Sequence, residues 1–254
     1  TTLLVYTDDC IVIDRDSQSN IDTLVKQMQR HFNVEDEGDL NDYLGVQVSE
    51  HSDGTIELSQ PQLIESILTD LGLLNEDGTE RTHPPKQQDT PMATTTVLGP
   101  DPDGEPFKES WSYKGVIGKL NFLEKSTRPD LAYSVHQCAR FMQNPTKRHG
   151  EAVKHIGRYL LGNRDKGMIL KPVRSQGFEC YVDADFCGNW QQQHAMEDPD
   201  TAKSRHGFIM KLYGIPIYWS SKMQTITALS TAESKYIGLS TAARYVLGTI
   251  YLME

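Results

Sequence analysis

Two adjacent carboxylates, Asp8 and Asp9, stand between two apolar runs, Leu3-Leu4-Val5-Tyr6 and Cys10-Ile11-Val12-Ile13. A two-residue hairpin turn favours Asn-Gly or Asp-Gly, because positive φ is needed there. Asp-Asp is a poor choice on geometry alone, and it sets like charges side by side between apolar strands. A bound divalent cation would relieve that repulsion. Two-metal phosphoryl-transfer sites use such carboxylates to hold cations about 4 Å apart, activating the attacking hydroxyl and stabilising the leaving oxygen. An ordinary acidic turn is the competing reading of a motif as short as Tyr-x-Asp-Asp, so the surroundings must decide.

Two further groups of residues invite chemistry. Tyr181-Val182-Asp183-Ala184-Asp185 alternates as a strand does, which puts Asp183 and Asp185 on the same side. Asp185 could assist Asp183 or could be a solvated strand end. The second group is basic. The formal net charge is −10, which taken alone argues against nucleic-acid binding. Yet residues 114–174 hold thirteen Lys and Arg against four acids, a net of +9, which leaves −19 for the remainder. Such asymmetry is a partner signal that the total conceals, or else a solvated helical face.

The elements that must carry these groups are legible from periodicity. Residues 1–14 read as two short strands around Asp8-Asp9. Ile21, Leu24, Val25, Met28 and Phe32 predict a helix over 20–32. Tyr43 to Val48 and Ile56 to Leu58 read as strands joined by Ser52-Asp53-Gly54. Leu63, Ile64, Ile67, Leu68 and Leu71 mark a second helix. Six prolines from Pro84 to Pro106 break regular structure in 75–110, which reads as a linker or long excursion between folding units. Three helices follow, with stripes on Tyr113–Leu123, Leu131–Met142 and Ala152–Leu160, Pro129 at a first turn and Gly162 as a C-cap. Phe178 to Asp183, then Phe208 to Leu212 and Ile215 to Ser220 around Tyr213-Gly214, read as a strand and a hairpin. A helix over 232–247 begins at a Ser230 or Thr231 cap.

Composition is near globular norms, with 37% hydrophobic and 24% charged residues. No run of about 18 apolar residues predicts a membrane helix, and the N-terminus lacks the basic region and cleavage site of a signal peptide. Cys10, Cys138, Cys180 and Cys187 form no Cys-x-x-Cys pair, and with His194 they are spaced unlike a zinc knuckle. Buried free thiols in a reducing compartment are expected.

Taken in order, these segments resemble the polymerase module of copia-type retrotransposons over almost the whole chain. Leu3-Leu4-Val5-Tyr6-Thr7-Asp8-Asp9 is similar to that family's Tyr-Val-Asp-Asp segment. Residues 32–48, FNVEDEGDLNDYLGVQV, then Leu58-Ser59-Gln60 and Thr90-Pro91-Met92, look like the stretches that follow it. Tyr113 to Leu120, Thr127-Arg128-Pro129-Asp130, Arg140-Phe141-Met142 and Arg158 to Gly162 fall in family order and spacing. No single match is specific; together they are.

The resemblance implies an α/β (α+β) chain in four parts: a partial reverse-transcriptase palm over 1–74, a linker over 75–110, a helical thumb or connection over 111–174, and a partial ribonuclease H-like domain with a mixed sheet over 175–254. It implies that Asp8 and Asp9 are catalytic metal ligands for magnesium, with manganese as an alternative. Lys114, Lys119, Arg128, Arg140, Lys147, Arg148, Lys154 and Arg158 would grip the backbone of an RNA template or RNA–DNA hybrid without reading bases. Arg128 and Asp130 could instead pair between helices. Asp183 matches the first metal-binding carboxylate of the ribonuclease H region. The helix Ser230-Thr231-Ala232-Glu233-Ser234-Lys235-Tyr236 resembles the family but carries Lys235 where a metal-bridging glutamate is usual, and an ammonium binds no magnesium. It could pair with Asp183. Glu233 lies about 200° round the helix from Lys235 and reads as an N-terminal acid favoured by the helix dipole.

The family's first polymerase carboxylate lies upstream of Tyr-x-Asp-Asp, and its later ribonuclease H aspartates lie beyond the last helix. The expectation is therefore a segment cut at both ends that neither extends primers nor cuts hybrid RNA. A nucleic-acid-binding remnant of a decayed element, or a decayed element without function, are the alternatives. Deoxynucleotides are partners of the full-length family, and its intracellular setting is a cytoplasmic virus-like particle or the nucleus. An apolar strand edge at residues 3–13 predicts pairing with a missing polymerase segment or self-association. Light scattering on the purified chain should show concentration-dependent dimers or larger species, and a monodisperse monomer would count against that edge.

Overall fold

The computed structural model describes residues 1–15, 17–93, 97–192, 195–196 and 198–253. Strands β1 (Thr2–Tyr6) and β2 (Asp9–Ile13) form an isolated hairpin. Helix α1 (Gln18–Gln29) follows, its first turn held by the Ser17 hydroxyl, which accepts from the Ser19 amide. The helix buries no residue fully, and Phe32 lies beyond its end, 68% exposed.

The stretch expected as one strand at 43–48 is a hairpin. β3 (Asp42–Tyr43) and β4 (Val46–Glu50) pair antiparallel across Leu44-Gly45, both at positive φ. That is the backbone a tight two-residue turn requires. β5 (Ile56–Ser59) pairs with β4, and β6 (Met168–Leu170) arrives from far along the chain to pair with β5.

The main core forms where four amphipathic helices meet. These are α2 (Pro61–Asp70), α3 (Tyr113–Ser126), α4 (Ala132–Ala139) and α5 (Lys147–Leu161). Ile117, Leu120 and Leu123 of α3, Val135 of α4 and Ile156 and Leu160 of α5 are wholly buried together with Ile67 and Leu68 of α2. Each such side chain contributes roughly 1.5–3 kcal/mol by leaving water. Gly157 lets α5 approach the end of α2: a Cβ there would lie 2.6 Å from methyl carbons of both Leu71 and Leu73. Gln60 joins three elements, donating to the Gly45 carbonyl and accepting from the Thr127 hydroxyl while 1% exposed.

Residues 75–110 were expected to mark a boundary. Where described, they are laid along the helices instead. Leu98 is buried in the core and Phe107 packs edge-on against Trp111. The Lys147 amide donates to the Glu105 carbonyl, and Arg148 donates to the Val97 carbonyl. Prolines excluded regular structure here, but backbone polar groups still found partners on α5.

The last region is a three-stranded sheet, β7 (Phe178–Asp185), β8 (Arg205–Leu212) and β9 (Ile215–Met223), covered by α6 (Thr231–Met253). A mixed sheet was expected; among the described residues its strands are antiparallel, because each follows its neighbour with no crossover between them. The β8–β9 turn is Tyr213-Gly214, with φ of 53° and 82°. The Trp219 indole donates to the Glu124 carbonyl, which ties this sheet to α3. Of the cysteines expected to be buried, only Cys138 is; Cys10 is exposed and Cys180 and Cys187 are half-buried. His194 lies outside the described residues.

His149 closes α5 in place of the usual acidic or amide side chain. Its Nδ1 accepts from the Thr146 amide, and Nε2 lies 3.0 Å from the Gly99 carbonyl, so the ring is held neutral with Nε2 donating. Burial pushes its pKa down, outweighing the Gly99 contact. Burial lowers His206 in the same way. An unfolded histidine titrates at about 6.5. Below that pH the unfolded chain takes up protons that the folded one refuses, so stability is complete above it and falls as pH drops. Urea midpoints should fall between about pH 7 and pH 5, with a shallower slope in His149→Gln than in the parent. Equal slopes would show that His149 protonates without cost to the fold.

Candidate active site and basic surface

The hairpin places the two acids differently from the simplest reading. The turn residues are Thr7 and Asp8, and Asp9 already opens β2, paired with Tyr6. Thr7 has φ of 52°. A β-branched residue in that region is disfavoured, so the turn carries local strain. Both carboxylates are exposed, and neither has a protein hydrogen bond or ion pair among the described residues. Carboxylate oxygens are suitable donors for a hard divalent cation. Among the described residues, however, no group of three or more His, Cys, Asp or Glu could hold one. The hairpin offers a half-site. Its strands also expose apolar surface, with Leu4 at 49%, Val5 at 63% and Tyr6 at 61%.

The second acidic position is built from β7 and α6. Asp183 lies on β7, where the Lys235 Nζ stands 3.4 Å from its Oδ1. The Ala184 amide and then the Lys235 ammonium hold the Asp183 carboxyl below the usual carboxylate range. The Lys235 ammonium compensates the charge of Asp183. Glu233 points elsewhere. It accepts from the Leu229 amide at 2.7 Å while the Ser230 hydroxyl accepts from the Glu233 amide. That reciprocal cap fixes the start of α6 and leaves Glu233 no role at Asp183. Asp185 is exposed and leans on Gly188, where a Cβ would lie 1.6 Å from its carboxylate.

The basic residues are mostly spoken for. Lys119 pairs with Asp70 at 2.7 Å, Lys147 with Glu105 and Lys154 with Glu109 at 2.9 Å, and Arg140 with Asp198 at 2.6 Å. Arg158 lies 4.0 Å from Glu151, and Arg148 donates to the Val97 carbonyl. Arg128 is 3% exposed. It grips Asp130 with two hydrogen bonds, donates to the Asn163 carbonyl and lies over the Tyr159 ring. Asp130 raises the Arg128 pKa against the opposing effect of burial. Lys114 alone of the eight is exposed without an ion pair among the described residues.

Sequence reasoning missed Arg205 and Tyr133. Arg205 is 7% exposed, and its guanidinium lies 5.4 Å from the Tyr133 ring centroid. A cation one residue after a serine in a strand gave no pattern to find.

Residues 2–84 match the family described as reverse transcriptase (RNA-dependent DNA polymerase). The chain is 33% identical over 234 residues to the retrovirus-related Pol polyprotein from transposon RE2 of Arabidopsis thaliana, covering 92% of this chain and 15% of that protein. It is 30% identical to the corresponding polyprotein from transposon TNT 1-94 of Nicotiana tabacum, covering 96% of this chain and 17% of that one. The chain belongs to the copia-type retrotransposon Pol family. It spans about a sixth of the length of those polyproteins. An uncharacterized mitochondrial protein of Arabidopsis thaliana is 27% identical over 247 residues, and there 91% of the relative is covered. No solved structure matches. No helix among the described residues is long and apolar enough to cross a membrane.

Arg128 and Lys114 should separate under mutation. Breaking a buried ion pair by removing one partner costs about 3 kcal/mol or more, so Arg128→Ala should lower the urea-unfolding free energy by about that much. Lys114→Ala should stay within about 0.5 kcal/mol of the parent. A stable Arg128→Ala protein that had lost hybrid binding would reverse the assignment.

Proposed function

We propose that this chain is a segment of a retrotransposon RNA-directed DNA polymerase whose last region derives from a ribonuclease H, and that these 254 residues alone catalyse neither reaction. The observation that carries it is the strained Thr7-Asp8 turn, which presents two unpartnered carboxylates between apolar strands inside the region matching the reverse-transcriptase family. That family generally uses divalent metals. Asp8 and Asp9 would hold magnesium or manganese, which when bound supplies Lewis-acid stabilisation of the phosphoryl group. The chain's own contribution is to hold the two acids at a tight turn.

A template or hybrid backbone would be met through charge rather than base reading. Lys114 is the first candidate. Lys147 could exchange the rim carboxylate Glu105 for phosphate, since exposed ion pairs contribute little, whereas Lys154 and Glu109 form a half-buried pair.

One observation favours the second reading, a non-catalytic nucleic-acid-binding remnant. Lys235 stands where the last region would need a ligand, 3.4 Å from Asp183. An ammonium donates only and cannot coordinate.

The test is template-directed primer extension by the pure chain with magnesium or manganese, run beside a filter-binding assay on the same RNA–DNA hybrid. The expected result is salt-dependent hybrid binding without extension or hybrid cleavage. Extension abolished by Asp8→Asn, or cleavage abolished by Asp183→Asn, would overturn the inactive reading. No binding at low salt would leave the family origin and remove the function.

A further inference from the structure

A cleft of about 410 Å³ lies against β7 and β8, and Arg205, Tyr133, Ser221, Asp183 and Asp185 line it. Arg205 is the unusual member. It is 93% buried, yet no carboxylate lies within ion-pair distance of it among the described residues. Its Nη1 donates to the Ser221 carbonyl and hydroxyl, each at 3.3 Å. Its Nε is buried and finds no acceptor, and no bond is made from Nη2. Nε and Nη2 form the edge of a guanidinium that takes an oxyanion side-on through two parallel hydrogen bonds.

The cost of this arrangement is what makes it informative. A buried charge without a partner destabilises a fold by several kcal/mol, and proteins normally pair or expose it. The face of the Tyr133 ring, 5.4 Å from the guanidinium, offsets only part of that cost. Ser221 satisfies one nitrogen only. The obvious counter-ion is already adjacent, because Asp185 is the residue opposite Arg205 in the β7–β8 register. The two make no ion pair; the Asp185 carboxylate turns to Gly188 instead. Asp183, the other acid of the cleft, is drawn to Lys235. Asp183 is thus drawn to another cation, Asp185 acts on Arg205 only at a distance, and the buried Nε of Arg205 is left without an acceptor.

We propose that Arg205 is an oxyanion-binding residue, and that the cleft takes a phosphate group on its guanidinium. The preferred source is a phosphodiester of a nucleic-acid strand running past β7. Only that choice of source depends on the function proposed above; the oxyanion site itself does not.

The test compares thermal unfolding of the parent chain, Arg205→Met and Asp185→Asn, in chloride and in inorganic phosphate at matched ionic strength. Phosphate should raise the parent midpoint above its chloride value, and the increment should vanish in Arg205→Met. In chloride, Arg205→Met should unfold no earlier than the parent, since it removes an unpaired buried charge. Asp185→Asn should keep the increment. A labelled RNA–DNA hybrid then identifies the source. Binding weakened about tenfold in Arg205→Met, with a salt slope smaller by about 0.9, would assign the ligand to a strand phosphate. Unchanged hybrid binding, with the phosphate increment still dependent on Arg205, would assign it to free phosphate. The proposal fails if phosphate gives no increment, or if the increment survives in Arg205→Met. It fails also if Arg205→Met is strongly destabilised in chloride, or if Asp185→Asn is, since Asp185 would then be the partner. Hybrid binding that persists through such a failure would leave the nucleic-acid reading intact.

Discussion

The burial of one apolar core between α2, α3, α4 and α5 supports the rest of this molecule. Its residues run from Ile64 to Leu161 in sequence, and the most central ones, from Ile117 and Leu120 to Ile156 and Leu160, lose all contact with water. Dozens of residues must be ordered to bring them together, and only burial on this scale offsets that entropy. Other parts attach to the core at a few points. The β3–β6 sheet is tied by Gln60 to the end of α3, and the β7–β9 sheet by the Trp219 indole on Glu124. The β1–β2 hairpin, by contrast, keeps most of its apolar surface in water. The candidate polymerase acids therefore sit on the element least supported by the core.

Charge follows a related division of labour. The helical segment is strongly basic and the remainder strongly acidic. Much of that contrast is resolved inside the chain, because cations of 114–174 pair with acids from elsewhere: Lys119 with Asp70, Arg140 with Asp198, Arg164 with Glu80 and Lys171 with Asp53. Each exposed pair is worth little alone. Collectively they fix how the acidic outer segments lie on the basic helices. They also reduce the field that a nucleic-acid backbone would meet, leaving surface charge that must be won from weak internal partners.

Periodicity made α2, α3, α4 and α5 legible, because their apolar stripes all face one core. The hairpin at Tyr213-Gly214 was equally plain, since a two-residue turn with glycine has few other uses. The β3–β4 turn was missed because Leu44-Gly45 sits in a run whose side chains otherwise alternate as one strand. The packing of the excursion over 75–110 was not legible for a different reason. Prolines report the absence of regular structure and say nothing of packing, so Leu98 and Phe107 docking on the helices left no local signal. At the candidate sites, residue types were readable and partners were not. Arg128 carries the same charge as Lys114, but only tertiary burial beside Asp130 and Tyr159 separates a structural pivot from a surface cation. Arg205 was invisible because its significance lies in what it fails to pair with.

Under the function proposed above, the Asp183–Lys235 contact bears on how such a chain would outlive its chemistry. A metal site built from carboxylates concentrates negative charge, and without its cation the acids repel one another. Replacing one acid by lysine removes that repulsion and supplies a compensating charge through a flexible stem. At an exposed position the net gain in stability is small, so the change asks little of the fold. Coordination is what disappears, since an ammonium has no lone pair to give. The capping role of Glu233 is separable from this, because its side chain serves the first turn of α6 rather than Asp183. A helix can therefore keep its cap, its packing against β7 and its length while one substitution on its facing side ends metal binding. The same separation applies at the hairpin, where the strain at Thr7 persists although the surrounding core does not require it. Backbone strain of this kind clusters at functional turns, and under the proposed function Asp8 is the side chain that this one would aim.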